Sequence, residues 1–303
     1  MSWSPADLPD FTGRTAVVTG ANSGIGWHTA AALGRAGAAV TLACRNVASG
    51  EEAAAQMRVS GARDVQVVAL DLAELDSVRT FAEAWTGPLD VLVNNAGVMT
   101  PPRYSQTLDG FELQFGTNHL GHVALTARLL PHLLSAPAPR VTTVSSIAHF
   151  GGTPDVIEGN EGGGYAPQHA YSNSKLANLL FAFELQRQAD LHDSALVSNA
   201  AHPGVSATNL VASTQGLGSI RGVRLLAPVA TRILFQSSAA GANPTLFAVA
   251  EGGPASYTGP QRLRESRGPV GPARLSPHAR DETLAGKLWD LSRDLTGTDF
   301  IWG

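Results

Sequence analysis

The sequence has a single cysteine, no long apolar run and no excess of basic residues. With Cys44 alone no internal disulfide can form, which fits a reducing compartment. The first fourteen residues, MSWSPADLPDFTGR, contain acids and prolines where a signal peptide would need an apolar stretch. The most apolar late segment, 223–235, is interrupted by Pro228 and Arg232, so we predict no membrane span. We therefore expect a cytoplasmic protein.

The charge balance gives no reason to expect a nucleic-acid partner. Lys and Arg number 21 against 25 Asp and Glu, a formal net charge of −4. Hydrophobic residues make up 44% of the 303 residues, which is enough for a large buried core. The length and composition predict one globular α/β domain over residues 1–303.

Short β-rich runs alternate with longer helical stretches along the chain, which predicts a doubly wound parallel sheet with helices on both faces. Two glycine-rich segments, 151–170 and 252–280, are predicted to be irregular surface loops. The predicted strands are 15–20, 39–45, 65–70, 89–95, 140–146 and 195–204, and the predicted helices include 24–37, 75–85 and 120–134.

The segment TGANSGIG (19–26) joins the first predicted strand to the first predicted helix. Its glycines, Gly20, Gly24 and Gly26, allow a tight turn and a close approach of a ligand to the backbone. The free N–H groups at a helix start suit a pyrophosphate, as in the Rossmann dinucleotide-binding fold. A purely structural turn is the alternative.

Six short motifs in this order resemble the short-chain dehydrogenase/reductase family over nearly the whole chain. The segments LACRN, SKLANLLF and ARDETLAGKLWDLSRDLTG are most similar to its retinol-dehydrogenase-like group. One departure is Trp27, where such members often carry a lysine. The resemblance implies an oxidoreductase that transfers hydride between a nicotinamide cofactor and a small-molecule carbonyl or alcohol. The motifs are TGANSGIG, NNAG (94–97), Asn118 in TNHLGH, VSS (144–146), YSNSK (171–175) and HPG (202–204).

Tyr171 and Lys175 are the candidate proton-transfer pair. They are four residues apart at the start of a predicted helix and therefore share a face. A nearby ammonium favours the phenolate, so we expect Lys175 to lower the pKa of Tyr171. The resemblance implies that Lys175 also binds the nicotinamide ribose. An exposed turn of helix is the alternative.

Ser146 and Asn118 complete the candidate catalytic set. Ser146 ends a predicted strand, where open α/β sheets bind ligands, and its hydroxyl could polarise the substrate oxygen. Its neighbour Ser145 is the less favoured choice, and strand-end capping is the alternative for either serine. The resemblance implies that Asn118 holds a water in a proton relay to Lys175, against the alternative of a buried amide bonded to backbone.

The remaining candidates are cofactor contacts. Asp71 could accept from an adenine amino group or, alternatively, cap the next helix. The full set of candidate cofactor-binding residues is Gly20, Asn22, Ser23, Gly24, Ile25, Gly26, Arg45, Asn46, Asp71, Leu72, Asn95, Ala96, Gly97, Tyr171, Lys175, Pro203, Gly204, Val205 and Thr208.

Arg45 predicts a preference for NADP(H), with NAD(H) as a second possibility. An acid at the end of the second strand binds the ribose 2′-hydroxyl and repels a 2′-phosphate. Here that place holds Cys44, Arg45 and Asn46, and the next acid is Glu51. A guanidinium suits a phosphate, and Ser23 could add a hydroxyl. An exposed arginine without a ligand is the alternative.

Two other features are interpreted as structural. His119 and His122 form an H-x-x-H pattern without a nearby acid or cysteine at ligand spacing, so we predict packing and no metal site. Cys44 is predicted to be inert core.

The segment 209–235 is apolar and, with 151–170, is predicted to border the substrate site. It favours an apolar substrate, and it could be a lid or a subunit interface. The resemblance leaves room for a homo-oligomer. Two rival functions remain open: a cofactor-binding sensor or scaffold, and a non-redox enzyme such as an epimerase or dehydratase on the same fold.

Overall fold

The computed structural model describes residues 3–159, 164–204 and 236–302. Within these residues, eight strands form one sheet in the order β3-β2-β1-β4-β5-β6-β7-β8, parallel throughout except for the antiparallel pair β7–β8. The strands are β1 Thr15–Thr19, β2 Ala39–Cys44, β3 Val65–Ala69, β4 Val91–Asn94, β5 Arg140–Val144, β6 Val197–Ala201, β7 Tyr257–Arg262 and β8 Arg267–Pro272.

Helices cover both faces of this sheet, and one of them changes its pitch. A π turn at Gly116–Leu120 lies between two α-helical pieces of one continuous stretch. The α-helices are α1 Gly24–Arg35, α2 Val47–Val59, α3 Leu75–Glu83, α4 Leu113–Phe115, α5 Gly121–Leu134, α6 Pro167–Leu191, α7 Ser238–Ala250 and α8 Glu282–Thr296. Short 3-10 helices occupy Pro5–Asp7, Ile147–Gly151, Pro154–Glu158 and His278–Arg280.

The strands are apolar on both sides because each face of the sheet has its own core. Along β1, Val18 packs with residues of α1, α2 and α7, and the adjacent Val17 packs with residues of α3, α5 and α6. In β4, Val93 and Leu92 divide in the same way. Successive side chains of a strand point to opposite faces, so a sheet covered twice needs a continuous apolar run. The predicted doubly wound parallel sheet is confirmed.

The interpretation of 252–280 as an irregular loop is wrong for much of its length. Strands β7 and β8 lie within it and extend the sheet beyond β6. Pro272 lies in β8, the last strand of the sheet, where its missing N–H costs no ladder bond on the open side, and Pro269 lies where the β7–β8 register shifts between Pro260 and Arg262. Residues 167–170 of the other predicted loop open α6, with Pro167 at the first helical position.

The order of the strands determines where a ligand can bind. β1 lies between β2 and β4, so the chain winds outward in opposite directions from this point. Loops that follow β1 and β4 therefore leave a crevice at the carboxyl edge, the usual ligand site of open α/β sheets. Within the described ranges, no helix combines the length and apolar character needed to cross a membrane.

Candidate active site

The glycine turn lies at this crevice. Gly20 and Gly24 have φ of +63° and +58°, a left-handed conformation that glycine adopts without strain. Gly26 lies inside α1, and a Cβ there would be 2.5 Å from Gly20 O and 2.6 Å from Asn95 Nδ2. Ser23 is the N-cap residue of α1, but its hydroxyl makes no capping bond. The turn thus brings backbone and one free hydroxyl to the N-terminus of a helix.

The turn after β4 is tied directly to β1. Asn95 N and Ala96 N both donate to Thr19 Oγ1 at 2.9 Å, and Asn95 Nδ2 donates to Thr19 O at 2.7 Å. A Cβ on Gly97 would lie 3.0 Å from Asn118 Oδ1 and 3.5 Å from Lys175 Nζ. The predicted cofactor turn and two predicted catalytic residues therefore meet at Gly97. Thr19 was not singled out in the sequence, although it sits immediately before Gly20.

Arg45 and Asn46 follow β2 directly and are exposed. Asn46 caps α2 by accepting from Ser49 N at 3.0 Å, and Ser49 Oγ in turn accepts from Asn22 Nδ2 at 3.0 Å. These bonds join the glycine turn to the start of α2. The Arg45 guanidinium has no hydrogen bond or ion pair to any described residue. A cation held open at this strand end is available to an anionic ligand.

Asp71 does not cap the next helix. The N-cap residue of α3 is Glu74, and Asp71 Oδ1 accepts instead from Ala73 N at 2.9 Å in a local turn. The backbone N–H of Asp71 donates to Ser77 Oγ at 2.9 Å. Leu72 is buried against Gly121 of α5. The Asp71 carboxylate keeps its second oxygen for another partner at the carboxyl edge.

Asn118 lies in the π turn, with both ends of its amide bound. Its Oδ1 accepts from Val98 N at 2.7 Å, and its Nδ2 donates to Val98 O at 2.9 Å and to Ser174 Oγ at 3.0 Å. The side chain therefore joins the loop after β4 to α6, one turn from Tyr171. Single π turns recur at functional sites because they redirect a side chain without ending the helix. The amide is bonded to the backbone of Val98, as the alternative interpretation expected, and its Oδ1 faces Gly97 together with the Lys175 Nζ; the water relay stays a prediction.

Ser146 and Ser145 face different surroundings. Ser145 Oγ donates to Lys175 O at 2.7 Å and is buried under α6. Ser146 is half-buried, caps the following 3-10 helix by accepting from Ala148 N at 3.1 Å, and hydrogen-bonds with the Tyr171 phenol. Ser146 is therefore placed toward Tyr171, and the strand-end capping weighed as an alternative occurs together with it.

Tyr171 and Lys175 share one face of α6, with the Lys175 Nζ 5.8 Å from the centre of the Tyr171 ring. The expected lowering of the Tyr171 pKa is wrong in this structure. Burial raises that pKa to about 12, and the hydrogen bond with Ser146 opposes the rise. Burial also lowers the pKa of Lys175 to about 8. The Nζ donates to Val144 O at 3.2 Å rather than to the phenol oxygen, and burial is the effect that dominates the Tyr171 pKa.

The HPG segment follows β6 at the same edge. Gly204 has φ of +69° and its N–H donates to His202 Nδ1 at 3.1 Å, while Pro203 O accepts from Gln236 Nε2. A Cβ on Gly204 would clash with Ser266 O, which explains the glycine. Of the other predicted contacts, Val205, Thr208 and the segment 209–235 lie outside the described residues.

A buried polar pair behind the HPG segment was not predicted. His202 Nε2 lies 3.5 Å from Glu265 Oε2, and both side chains are almost fully buried. Burial lowers the pKa of His202 to about 3, so the imidazole is neutral. Glu265 also accepts from Arg274 N and Nε at 3.0 Å. No sequence signal marks Glu265, because it comes from the turn between β7 and β8 that was interpreted as a loop.

The two histidines of the H-x-x-H pattern are buried in the helical stretch. His119 Nε2 lies 2.8 Å from Ser292 Oγ, and His122 bonds through both nitrogens to protein atoms. Within residues 3–159, 164–204 and 236–302, no three His, Cys, Asp or Glu side chains cluster at metal-binding distance. Cys44 is buried, and burial raises the pKa of its thiol to about 11.

These residues fit a dinucleotide. The glycine turn offers backbone N–H groups at the start of α1, and Gly97 leaves open the space beside Asn118 and Lys175 that a side chain would fill. Arg45 would hold the adenosine end and Lys175 the nicotinamide end. When bound, the nicotinamide supplies or accepts the hydride.

The sequence comparisons agree with this geometry. Residues 14–216 match the family model of the short chain dehydrogenases. Retinol dehydrogenase 14 of Homo sapiens is 38% identical over 94% of this chain and 87% of its own length. Polyprenol dehydrogenase of Mus musculus is 38% identical over 97% of this chain and 87% of its own length.

Solved structures share the fold. An uncharacterized protein from Mycobacterium paratuberculosis is 44% identical, with a TM-score of 0.83 over 99% of this chain and 100% of that one. A short chain dehydrogenase from Shigella flexneri, complexed with NADP, has a TM-score of 0.62 at 22% identity over 83% of this chain and 98% of that one, which supports the fold alone. Together with the glycine turn and the Ser146–Tyr171–Lys175 arrangement, these matches make the chain a member of the short-chain dehydrogenase family.

Proposed function

We propose that this nicotinamide-dependent oxidoreductase interconverts an apolar alcohol and its carbonyl compound, with NADP(H) preferred over NAD(H). The observation that carries the proposed reaction is the placement of Asn118 and Lys175 beside Gly97, with Tyr171 on the same helix face as Lys175 and Ser146 beside the Tyr171 phenol. A sensor or scaffold would need the cofactor turn but not a phenol placed beside a serine hydroxyl.

The protonation states suit carbonyl reduction. Tyr171, with a pKa near 12, is a neutral phenol at pH 7 and can donate its proton to a developing alkoxide. Ser146 can donate a hydrogen bond to the same oxygen and so orient the substrate. Lys175, whose pKa lies near 8, can supply positive charge as the phenolate forms. Alcohol oxidation would run the same transfers in reverse.

Asn118 supports this set without a proton of its own to transfer. Its amide is held by Val98 on one side and Ser174 on the other, and its Oδ1 and the Lys175 Nζ both face Gly97. We expect Asn118 to place a water that connects Lys175 to solvent. Such a relay would return a proton to Tyr171 after each turnover.

The exposed, unpaired guanidinium of Arg45 supports the preference for NADP(H). It follows β2, where an acid would select the 2′-hydroxyl of NAD(H), and the nearest following acid, Glu51, lies within α2. Ser23 and Asn22 lie in the adjacent turn. Arg45 makes no contact that would have to break when a phosphate binds, so the full charge-assisted bond is available to the ligand.

The cofactor preference is tested by the ratio of dissociation constants for NADPH and NADH. We expect the wild type to favour NADPH and Arg45→Ala to lose about one to two decades of that preference. Arg63→Ala is the matched control, because Arg63 is also exposed but precedes β3 at the opposite edge of the sheet. Equal affinity of the wild type for both cofactors would contradict the proposal.

The proposal of an apolar substrate rests on aromatic residues that lie near Ser146 and α6 in the sequence, and on the relatives. Phe150 is 46% exposed and lies in the 3-10 helix Ile147–Gly151, which Ser146 caps. Tyr104 packs edge-on against Tyr165, which precedes α6. Relatives of this chain are named for retinol and polyprenol, both long apolar alcohols. Pockets lined by apolar and aromatic side chains suit such molecules.

A panel of alcohols and aldehydes, followed by the absorbance of NADPH, tests the substrate class. It should include retinol, a short polyprenol, long-chain aliphatic aldehydes, sugars and short hydroxy acids. We expect kcat/KM to rise with apolar chain length, because each buried methylene contributes about 0.8 kcal/mol. Turnover restricted to sugars or hydroxy acids would contradict the apolar assignment and leave the redox assignment intact.

A further inference from the structure

A continuous chain of hydrogen bonds runs beneath the site, from the cofactor turn to the π turn. Thr19 Oγ1 accepts from Asn95 N and Ala96 N and lies 2.9 Å from His122 Nε2. His122 Nδ1 lies 2.9 Å from the backbone oxygen of Asn118. Asn118 also reaches the loop after β4 directly through Val98, so His122 is a second link, which runs through Thr19 of β1.

In each of these hydrogen bonds, the chemistry of the two atoms determines which one donates. A carbonyl oxygen only accepts, so His122 must carry its proton on Nδ1 to bond to Asn118 O. In the neutral imidazole, Nε2 is then an acceptor. The oxygen of Thr19 already accepts from two amides, so its own O–H must donate, and His122 Nε2 at 2.9 Å is a nearer acceptor than Val93 O at 3.4 Å. Only one tautomer of one protonation state satisfies all four bonds.

Burial enforces that state. Thr19, Asn118 and His122 are all almost fully buried. Burial lowers the pKa of His122 to about 4, so the imidazole is neutral at any working pH. Protonated His122 would point an Nε2–H at a threonine oxygen without a remaining lone pair. The neutral Nε2–H tautomer, which dominates for a free imidazole, would place a lone pair against the Asn118 carbonyl.

We propose that His122, as the neutral Nδ1–H tautomer, is a positioning residue that couples the cofactor turn Asn95–Ala96 to the π turn carrying Asn118. The inference rests on the nicotinamide cofactor and not on the substrate. The pattern H-x-x-H therefore has two different members: His122 links the two halves of the site, and His119 bonds outward to Ser292 of α8.

The tautomer can be read directly in solution. In 15N-labelled protein, His122 is expected to show a protonated, pyrrole-like Nδ1 and an unprotonated, pyridine-like Nε2 in a long-range 1H–15N spectrum. The signals are assigned by their loss in His122→Asn. Binding of NADPH should shift the His122 signals and leave those of His119 in place. A protonated Nε2 on His122 would overturn the proposal whether or not any substrate is known.

Variants test the coupling through cofactor affinity alone. We expect His122→Leu to raise the NADPH dissociation constant about tenfold, the effect of losing one buried hydrogen-bond link. His119→Leu is the matched control: it removes an equally buried imidazole from the same helical stretch and should leave NADPH affinity within about twofold. Affinity is measured by the fluorescence of bound NADPH.

His122→Asn separates coupling from general packing. Its amide nitrogen can still donate to Asn118 O, but the shorter side chain cannot reach Thr19, so NADPH affinity should remain weakened. Thr19→Ser keeps the hydroxyl and should retain wild-type affinity. If His122→Leu and His119→Leu weaken NADPH equally, or if His122→Leu does not weaken it, the proposal is wrong. If His122→Leu does not fold, the proposal is decided by two other measurements. These are the tautomer of His122 in the wild type and the NADPH affinities of Thr19→Ser and His122→Asn.

Discussion

Replacing Lys175 with methionine should stabilise the protein and abolish its turnover. Lys175 is 5% exposed, and its Nζ donates one hydrogen bond, at 3.2 Å, to Val144 O. Methionine has a similar length and no charge to bury. Val144 O also accepts from Asn178 Nδ2 at 3.0 Å, so the substitution leaves this carbonyl with a partner. The site would gain stability because its function requires a charge in an apolar place.

The lowered pKa of Lys175 sets the expected gain in the free energy of unfolding. A fall from 10.5 to about 8 corresponds to about 3 kcal/mol, the cost of holding the ammonium charged in the folded protein. Below pH 8 the lysine is charged in both states and the folded state carries this whole cost. Between pH 8 and 10.5 the folded state loses the proton first, so the stability of the wild type rises with pH over that window.

The assay is urea unfolding of both proteins without cofactor, at pH 7 and at about pH 9.5. We expect Lys175→Met to be more stable than the wild type by about 2–3 kcal/mol at pH 7, after the loss of one hydrogen bond. At pH 9.5 this advantage should shrink by about 2 kcal/mol, because the wild type has by then released the buried proton. The change with pH is independent of any packing difference, which is the same at both pH values.

Lys287→Met is the control, because Lys287 is the chain's other lysine and is exposed on α8. The stability of the Lys287→Met variant should equal that of the wild type at both pH values. Parallel pH profiles for wild type and Lys175→Met would refute the reasoning, since they would mean that the buried ammonium keeps its ordinary pKa.

Three further predictions concern the site itself. Tyr171→Phe should lower kcat at least a hundredfold with the NADPH dissociation constant nearly unchanged, because the phenol acts on the transition state; near-wild-type kcat would remove Tyr171 from the mechanism. The rate of alcohol oxidation should rise with pH while carbonyl reduction stays flat around neutral pH, because oxidation needs the phenolate of a tyrosine whose pKa is raised; matching profiles for both directions would argue against it. Gly26→Ala should lose NADPH binding, because the new Cβ would lie 2.5 Å from Gly20 O and 2.6 Å from Asn95 Nδ2; unchanged affinity, measured by fluorescence, would show that the turn can widen.

The motif residues could be predicted because their spacing reflects local geometry. Gly20 and Gly24 mark left-handed turns, and Tyr171 and Lys175 share a helix face by periodicity alone. The choice of Ser146 over Ser145 came from the resemblance and agrees with the side-chain directions, because consecutive residues at a strand end point to opposite faces. Their catalytic roles stay predictions until the variants are measured.

The edge hairpin and its glutamate could not be predicted. Residues 257–272 are rich in glycine and proline, and local propensity favours a loop there. Pairing with β6 overrides that preference. Glu265 then reaches His202 only because β7 and β8 bring their connecting turn back to the HPG segment. No local pattern reports a contact between residues this far apart in sequence.

The sequence by itself determined the parallel α/β class, the glycine turn and the pairing of Tyr171 with Lys175, because each depends on a short-range period or on a conformation that only glycine adopts easily. Only the tertiary structure decided the protonation state of the pair and the role of His122. Both depend on how much water is excluded and on which polar atoms from distant segments remain as partners. Burial holds Tyr171 as a phenol and lowers the pKa of Lys175, and Thr19 and Asn118 together impose one tautomer on His122.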